Sequence, residues 1–176
     1  MKIALIGTHG TGKTTLAHEL TTELKKEGLN TEFLGELARE CPLPINEKTT
    51  KESQEWIIFT QHLREIEMQN KYEILICDRS ILDGYVYYIR KFGREKTLEE
   101  FIKKRIKDYD LIVKIPINES FLREDGIRSI NKEFQEDIDK IFEEILEELE
   151  IPFITHERTS KTKEIILNLT KNPINL

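Results

Sequence analysis

Cysteine is nearly missing from this chain: of 176 residues only Cys41 and Cys77 carry a thiol. Two cysteines are too few for a disulfide framework and lack the spacing of a metal site. Cys77 closes the apolar run Ile74-Leu75-Ile76-Cys77 and reads as an inert core thiol. A basic excess is missing too. Lys and Arg total 27 against 33 Asp and Glu, a net charge of −6. This argues against duplex nucleic acid as a partner, since its phosphates need a basic face. No apolar stretch is long enough to cross a bilayer, and the first strand opens at Lys2 with no leader-like segment before it. The expectation is a cytoplasmic protein with no membrane partner. Repeats, low-complexity tracts and linkers are absent as well. With 38% hydrophobic residues, residues 1–176 suit a single domain with a sizeable core.

What is present is concentrated near the amino end. Residues 7–14 read Gly-Thr-His-Gly-Thr-Gly-Lys-Thr, a complete G-x-x-x-x-G-K-[ST] phosphate loop. It follows the apolar run Ile3-Ala4-Leu5-Ile6 and leads into a segment where Leu16, Leu20 and Leu24 recur every four residues. Strand, glycine loop and helix is the context the motif needs. Gly7, Gly10 and Gly12 let the backbone turn and bring its N–H groups against a polyphosphate. His9, Thr11 and Thr15 belong to the same loop and helix start, whose open N–H groups favour anions. Lys13 is placed to reach the outer phosphates, and the Thr14 hydroxyl to ligate Mg²⁺. The expected ligand is a nucleoside triphosphate, ATP with Mg²⁺.

Four further short runs read as buried parallel strands, at 31–35, 73–77, 110–115 and 152–155, with helical patterns between them. Strand alternating with helix marks a doubly wound α/β sheet. The pattern predicts a long helix over 49–70, an amphipathic one through Phe134, Ile138, Ile141, Ile145 and Leu149, and a last one over 161–170. Residues 118–130 form a polar stretch around Gly126, which fits either a mobile lid or an ordinary exposed loop.

In an open parallel sheet, ligands bind beyond the carboxyl ends of the strands. Glu36 and Arg39 follow the second strand there, Asp78-Arg79-Ser80 the third, and His156-Glu157-Arg158 the fifth. Asp78 suits the shell of Mg²⁺ or the N-cap of a helix. Glu36 suits a base that takes the proton of an acceptor hydroxyl, or a charge at a helix start. Arg123 and Arg128 in the polar stretch are of the type that meets charge on a transferring phosphoryl group. On the long helix Gln54, Trp56, Phe59 and Gln61 could hold a planar ring, although Trp56 and Phe59 also fit a core face. Tyr85, Tyr87 and Tyr88 divide the same way.

Residues 7–15 resemble the loop of small P-loop kinases of the nucleoside and nucleotide kinase type. Asp78-Arg79-Ser80 is similar to the element after the third strand in thymidylate and deoxynucleoside kinases. Glu36-Leu37-Ala38-Arg39-Glu40 and Asp125-Gly126-Ile127-Arg128 resemble segments of the nicotinamide-riboside-kinase-like domains of NAD regulators and related AAA-type P-loop proteins. The resemblance implies a three-layer P-loop NTPase fold with a five-stranded parallel sheet in order 2-3-1-4-5. It implies transfer of the γ-phosphoryl group of ATP-Mg to a small acceptor, a nucleoside or nucleotide. In that scheme Lys13 and Arg79 steady phosphates or acceptor, and Glu36 is the base. Arg123 and Arg128 are lid arginines, and Arg158 lies near the adenine. A homodimer is left open.

Two other readings compete. A nucleotide switch of the GTPase kind needs Asn-Lys-x-Asp after a late strand. The Asn-Lys pairs here run Asn70-Lys71-Tyr72-Glu73 and Asn131-Lys132-Glu133-Phe134 and fail at the fourth position. A P-loop ATPase with a regulatory or assembly role shares the loop, and differs in having no small acceptor to accelerate ADP release.

Overall fold

The computed structural model describes residues 1–118 and 132–171. Arg123, Arg128 and all but the first residue of the lid expected at about 118–130 lie outside them. The described chain runs β1 (Lys2–Ile6), α1 (Lys13–Lys26), β2 (Thr31–Leu34), α2 (Lys51–Gln69), β3 (Ile74–Asp78), α3 (Ile81–Phe92) and α4 (Lys96–Arg105). It continues through β4 (Leu111–Lys114), α5 (Lys132–Glu148), β5 (Ile154–Thr155) and α6 (Thr159–Lys171). The five strands are parallel and stand in the order 2-3-1-4-5, as the family resemblance implied.

Strands covered on both faces carry apolar runs rather than alternating polarity, which is why β1 reads Lys-Ile-Ala-Leu-Ile and is buried throughout. The pleat then sends neighbours to opposite layers. Ile3 and Leu5 pack with Leu16, Leu20 and Leu24 of α1 and Ile166 of α6. Ala4 and Ile6 pack with Leu82 and Val86 of α3 and Ile138 and Phe142 of α5. Helices on both faces of the sheet make three layers. β5 is shorter than the run that suggested it, pairing only Val113 with Ile154 and Lys114 with Thr155. Pro152 has no N–H to give a ladder, so the strand stays a short edge.

A buried ion pair ties the start of β1 to α2. Lys2 Nζ lies 2.9 Å from Glu65 Oε2, while Glu65 Oε1 accepts from the Tyr109 hydroxyl at 2.6 Å and from Gln61 Nε2 at 2.8 Å. Both carboxylate oxygens are bonded, the condition under which a buried pair is tolerable.

The inward face of α2 is Gln54, Ile57, Ile58, Gln61 and Glu65. That phase corrects the core reading of two aromatics. Phe59 is 43% exposed and packs on Phe101 at 5.3 Å between ring centroids, and Trp56 is only half-buried. Among the described residues no helix is long and apolar enough to cross a membrane.

Candidate active site

β1 runs straight into the phosphate loop. A Cβ on Gly7, whose φ is +135°, would stand 2.7 Å from the Ile115 carbonyl oxygen, so glycine is required where β1 leaves the sheet. Gly12 caps α1 at φ 88°, with no side-chain cap and no acidic residue in the first turn. The helix therefore meets the loop with open N–H groups and the positive end of its dipole, a site for an anion. Lys13 is buried there, donating to the Thr8 carbonyl and, at 3.1 Å, to Thr11 Oγ1. Burial and then the charge of Arg79 lower its pKa to about 8, against the pull of Asp78, Asp83 and Glu36. A negative charge beside the ammonium would favour its charged form.

Thr14 Oγ1 donates to Asp78 Oδ2 at 2.5 Å, while Asp78 Oδ1 is buried with no partner among the described residues. An orphaned carboxylate oxygen beside a hydroxyl fits a hard cation, which takes one or two protein oxygens when phosphates and water supply the rest. Among the described residues no cluster of three or more His, Cys, Asp or Glu could hold a metal by itself. The N-cap alternative for Asp78 fails. Ser80 caps α3, its Oγ accepting from Leu82 N at 3.1 Å, and Asp83 Oδ2 accepts from Ser80 N at 2.8 Å to complete a capping box.

Arg79 follows β3 with φ 85°, a left-handed backbone that is costly for a non-glycine residue. Its Nε donates to Glu36 Oε1 at 2.7 Å and its Nη1 to Asp83 Oδ1 at 3.4 Å, while Arg39 Nε donates to Glu36 Oε2 at 3.0 Å. Burial pushes the Glu36 carboxyl upward, but the charges of Arg79, Lys13 and Arg39 together bring its pKa down to about 2. Glu36 stands at the head of the single 3₁₀ turn Leu37–Arg39 and makes no capping bond there, so its partners are cationic side chains and not a helix end.

Asp83 escaped the sequence reading. It also accepts from Gly7 N at 3.4 Å and so joins the loop, Arg79 and the head of α3. Burial raises its pKa, with Arg79 and Lys13 opposing. The signal that could have found it is Ser80-x-x-Asp83, a capping-box spacing.

Because β1 is central, the exits of β2 and β3 fall on one side of the loop and those of β4 and β5 on the other. A cleft opens on each side. The first is lined by His9, Glu36, Arg39, Gln54, Ile57, Arg79 and Tyr87. The second is lined by Gly12, Thr15, Pro116, His156, Glu157 and Thr159.

Two expected placements change. His9, grouped on sequence with the nucleotide-binding loop, lines the first cleft because Tyr87 and Phe134 hold its ring there. Arg158 is exposed and absent from the second cleft's lining; its carbonyl accepts from Lys161 N and Thr162 N at the start of α6. Of the residues with two readings, Gln54 and Tyr87 line the first cleft, whereas Tyr85 and Tyr88 are core. Gln61 lies behind the cleft, donating to the Arg79 carbonyl at 3.4 Å. Cys77 is buried, and burial pushes its thiol pKa well up, which leaves it inert.

None of the curated proteins matches the chain. Among solved structures it is similar to a deoxyadenosine kinase from M. mycoides with bound dATP, at 21% identity and a TM-score of 0.67, over 98% of this chain and 100% of that one. It is similar to the NadR protein in complex with NR at 24% identity and a TM-score of 0.67, over 89% of this chain and 45% of NadR. It is also similar to thymidylate kinase from Candida albicans, at 16% identity and a TM-score of 0.62, over 98% and 91% of the two chains. At such identities the likeness concerns the fold, which is that of P-loop nucleoside and nucleotide kinases. A family profile described as an AAA domain matches residues 2–163. Since that span takes in the five described strands, the phosphate loop, Glu36 and Asp78, the chain belongs to the AAA domain family.

Proposed function

We propose that the protein transfers the γ-phosphoryl group of ATP-Mg to a hydroxyl of a small acceptor, a nucleoside or nucleotide. The observation that carries this reading is the pair of clefts flanking one phosphate loop. An ATPase without an acceptor needs only one of them.

In this scheme the second cleft takes the adenine, and Lys13 with the open amides of α1 holds the phosphates. Thr14 and Asp78 hold Mg²⁺, which supplies charge neutralisation to the triphosphate when bound. Glu36, kept ionised by Arg79, accepts a hydrogen bond from the acceptor hydroxyl and finally its proton. Phosphoryl transfer passes through a loose transition state, so orienting the nucleophile matters more than a strong base, and a carboxylate with a pKa of about 2 serves. Arg79 steadies the developing charge from its seat between Glu36 and Asp83. Gln54 and Ile57 on the wall of the same cleft suit the edge and face of a planar ring. Arg123 and Arg128 complete the scheme from the polar stretch, on sequence grounds alone. The relatives named as deoxyadenosine kinase, thymidylate kinase and NadR with NR support an acceptor of this class.

The test is ADP release from ATP-Mg with and without a panel of nucleosides and nucleoside monophosphates. Stimulation by one class supports the proposal. Hydrolysis without acceptor as fast as any stimulated rate would overturn it in favour of the ATPase.

A further inference from the structure

At His9 the loop motif asks only for a backbone N–H, yet this side chain is held in one orientation. Gln135 Nε2 donates to the His9 carbonyl at 2.7 Å, and Phe134 lies against the ring with centroids 5.4 Å apart. The Tyr87 hydroxyl is 3.1 Å from Nδ1, and Thr8 Oγ1, at 3.3 Å, lies on the same side. The residue is 3% exposed and lines the first cleft beside Glu36 and Arg79. Its other nitrogen, Nε2, is buried and has no partner among the described residues. Buried ring nitrogens are normally hydrogen-bonded, so an orphaned one in a cleft wall suits a ligand.

The Nδ1 side of the ring faces the Tyr87 hydroxyl, which burial keeps protonated by raising the phenol's pKa. A neutral ring that accepts from that hydroxyl at Nδ1 carries its single proton on Nε2. Burial, followed by the charges of Arg79 and Lys13, lowers the ring's pKa to about 4, so the group carries no charge at neutral pH. A neutral N–H suits an uncharged oxygen.

We infer that His9 is a specificity-determining residue whose Nε2–H donates to a sugar oxygen of the acceptor, close to the hydroxyl that is phosphorylated. The inference rests on the acceptor reading of the first cleft. No other charge or proton transfer is asked of the ring.

The experiment compares kcat/KM for a ribonucleoside and its 2′-deoxy and 3′-deoxy analogues in wild type, His9→Ala and His9→Gln. ATP-Mg binding is followed in parallel by calorimetry. Wild type is expected to discriminate against one deoxy analogue by about 10- to 100-fold, the range for leaving one buried donor unmatched. His9→Ala should lose that discrimination by falling only on the hydroxyl-bearing acceptor, and His9→Gln, which restores an N–H, should recover part of it. A ¹⁵N spectrum of the imidazole should show protonated Nε2 in wild type, with the tautomers mixing in Tyr87→Phe. Equal discrimination in wild type and His9→Ala, or a protonated Nδ1, would overturn the assignment and leave the kinase standing. Loss of ATP binding in His9→Ala would overturn it by moving His9 to the nucleotide side. Failure of wild type to use any acceptor would overturn both readings at once.

Discussion

Replacing Glu36 by Gln removes one negative charge from between Arg79 and Arg39 and keeps the shape of the side chain. The carboxyl falls from 4.5 to about 2, a difference of about 2.5, or roughly 3 kcal/mol of stability at neutral pH. Its side chain is 12% exposed, so solvent screening takes little of this. A depressed carboxyl contributes fully above its unfolded pKa and loses that contribution as pH falls through the folded one. Integrated between these limits, the contribution is intact from about pH 8 to 5 and falls to roughly 1.4 kcal/mol at pH 3. Urea unfolding of wild type and Glu36→Gln across that range should therefore give a constant gap that halves by about pH 3. In the same variant kcat should fall by roughly 10²–10⁴, the span for a lost general base, with ATP affinity unchanged. A stability gap that persists undiminished at pH 3 would refute the electrostatic account, because packing does not titrate. Loss of ATP binding would move Glu36 to the nucleotide side.

Lys13→Met should cut phosphoryl transfer by several orders of magnitude without loss of fold. Burial lowers the Lys13 pKa from 10.5 to about 8, so its charge is a cost fully present below pH 8 that lifts as pH rises towards 10.5. The variant should melt no lower than wild type at pH 7, with any advantage shrinking by pH 10; a clearly lower Tm would contradict this. Asp78→Asn keeps an oxygen for Thr14 but removes the charge, and should raise the Mg²⁺ needed for half-maximal activity by about 10- to 100-fold. Unchanged metal dependence would remove Asp78 from the cation's shell. Gly7→Ala meets both a positive φ and the Ile115 carbonyl. It should cost about 1–3 kcal/mol and weaken ATP binding, and a wild-type melt with normal ATP titration would count against the loop geometry.

The local features were legible because their causes lie in adjacent residues. The positive φ of Gly7 and Gly12, the four-residue spacing of the leucines in α1 and the apolar run ending on Asp78 all act over one turn or one strand. The loop, the parallel sheet and the carboxylate beside Thr14 could thus be read from the chain. Trp56 and Phe59 kept two readings on sequence, since helical spacing defines a stripe but not which stripe faces inward. That is decided by what α2 packs against, here α3 and the sheet.

The amino-acid sequence by itself determined a phosphate loop between strand and helix, since the geometry of a glycine turn is a property of its own residues. Only the tertiary structure decided that Glu36 meets Arg79 across 43 positions, that Asp83 bridges loop and helix, and that His9 faces the first cleft. Those contacts depend on β1 lying between β3 and β4, an order of strands that no stretch of neighbouring residues encodes.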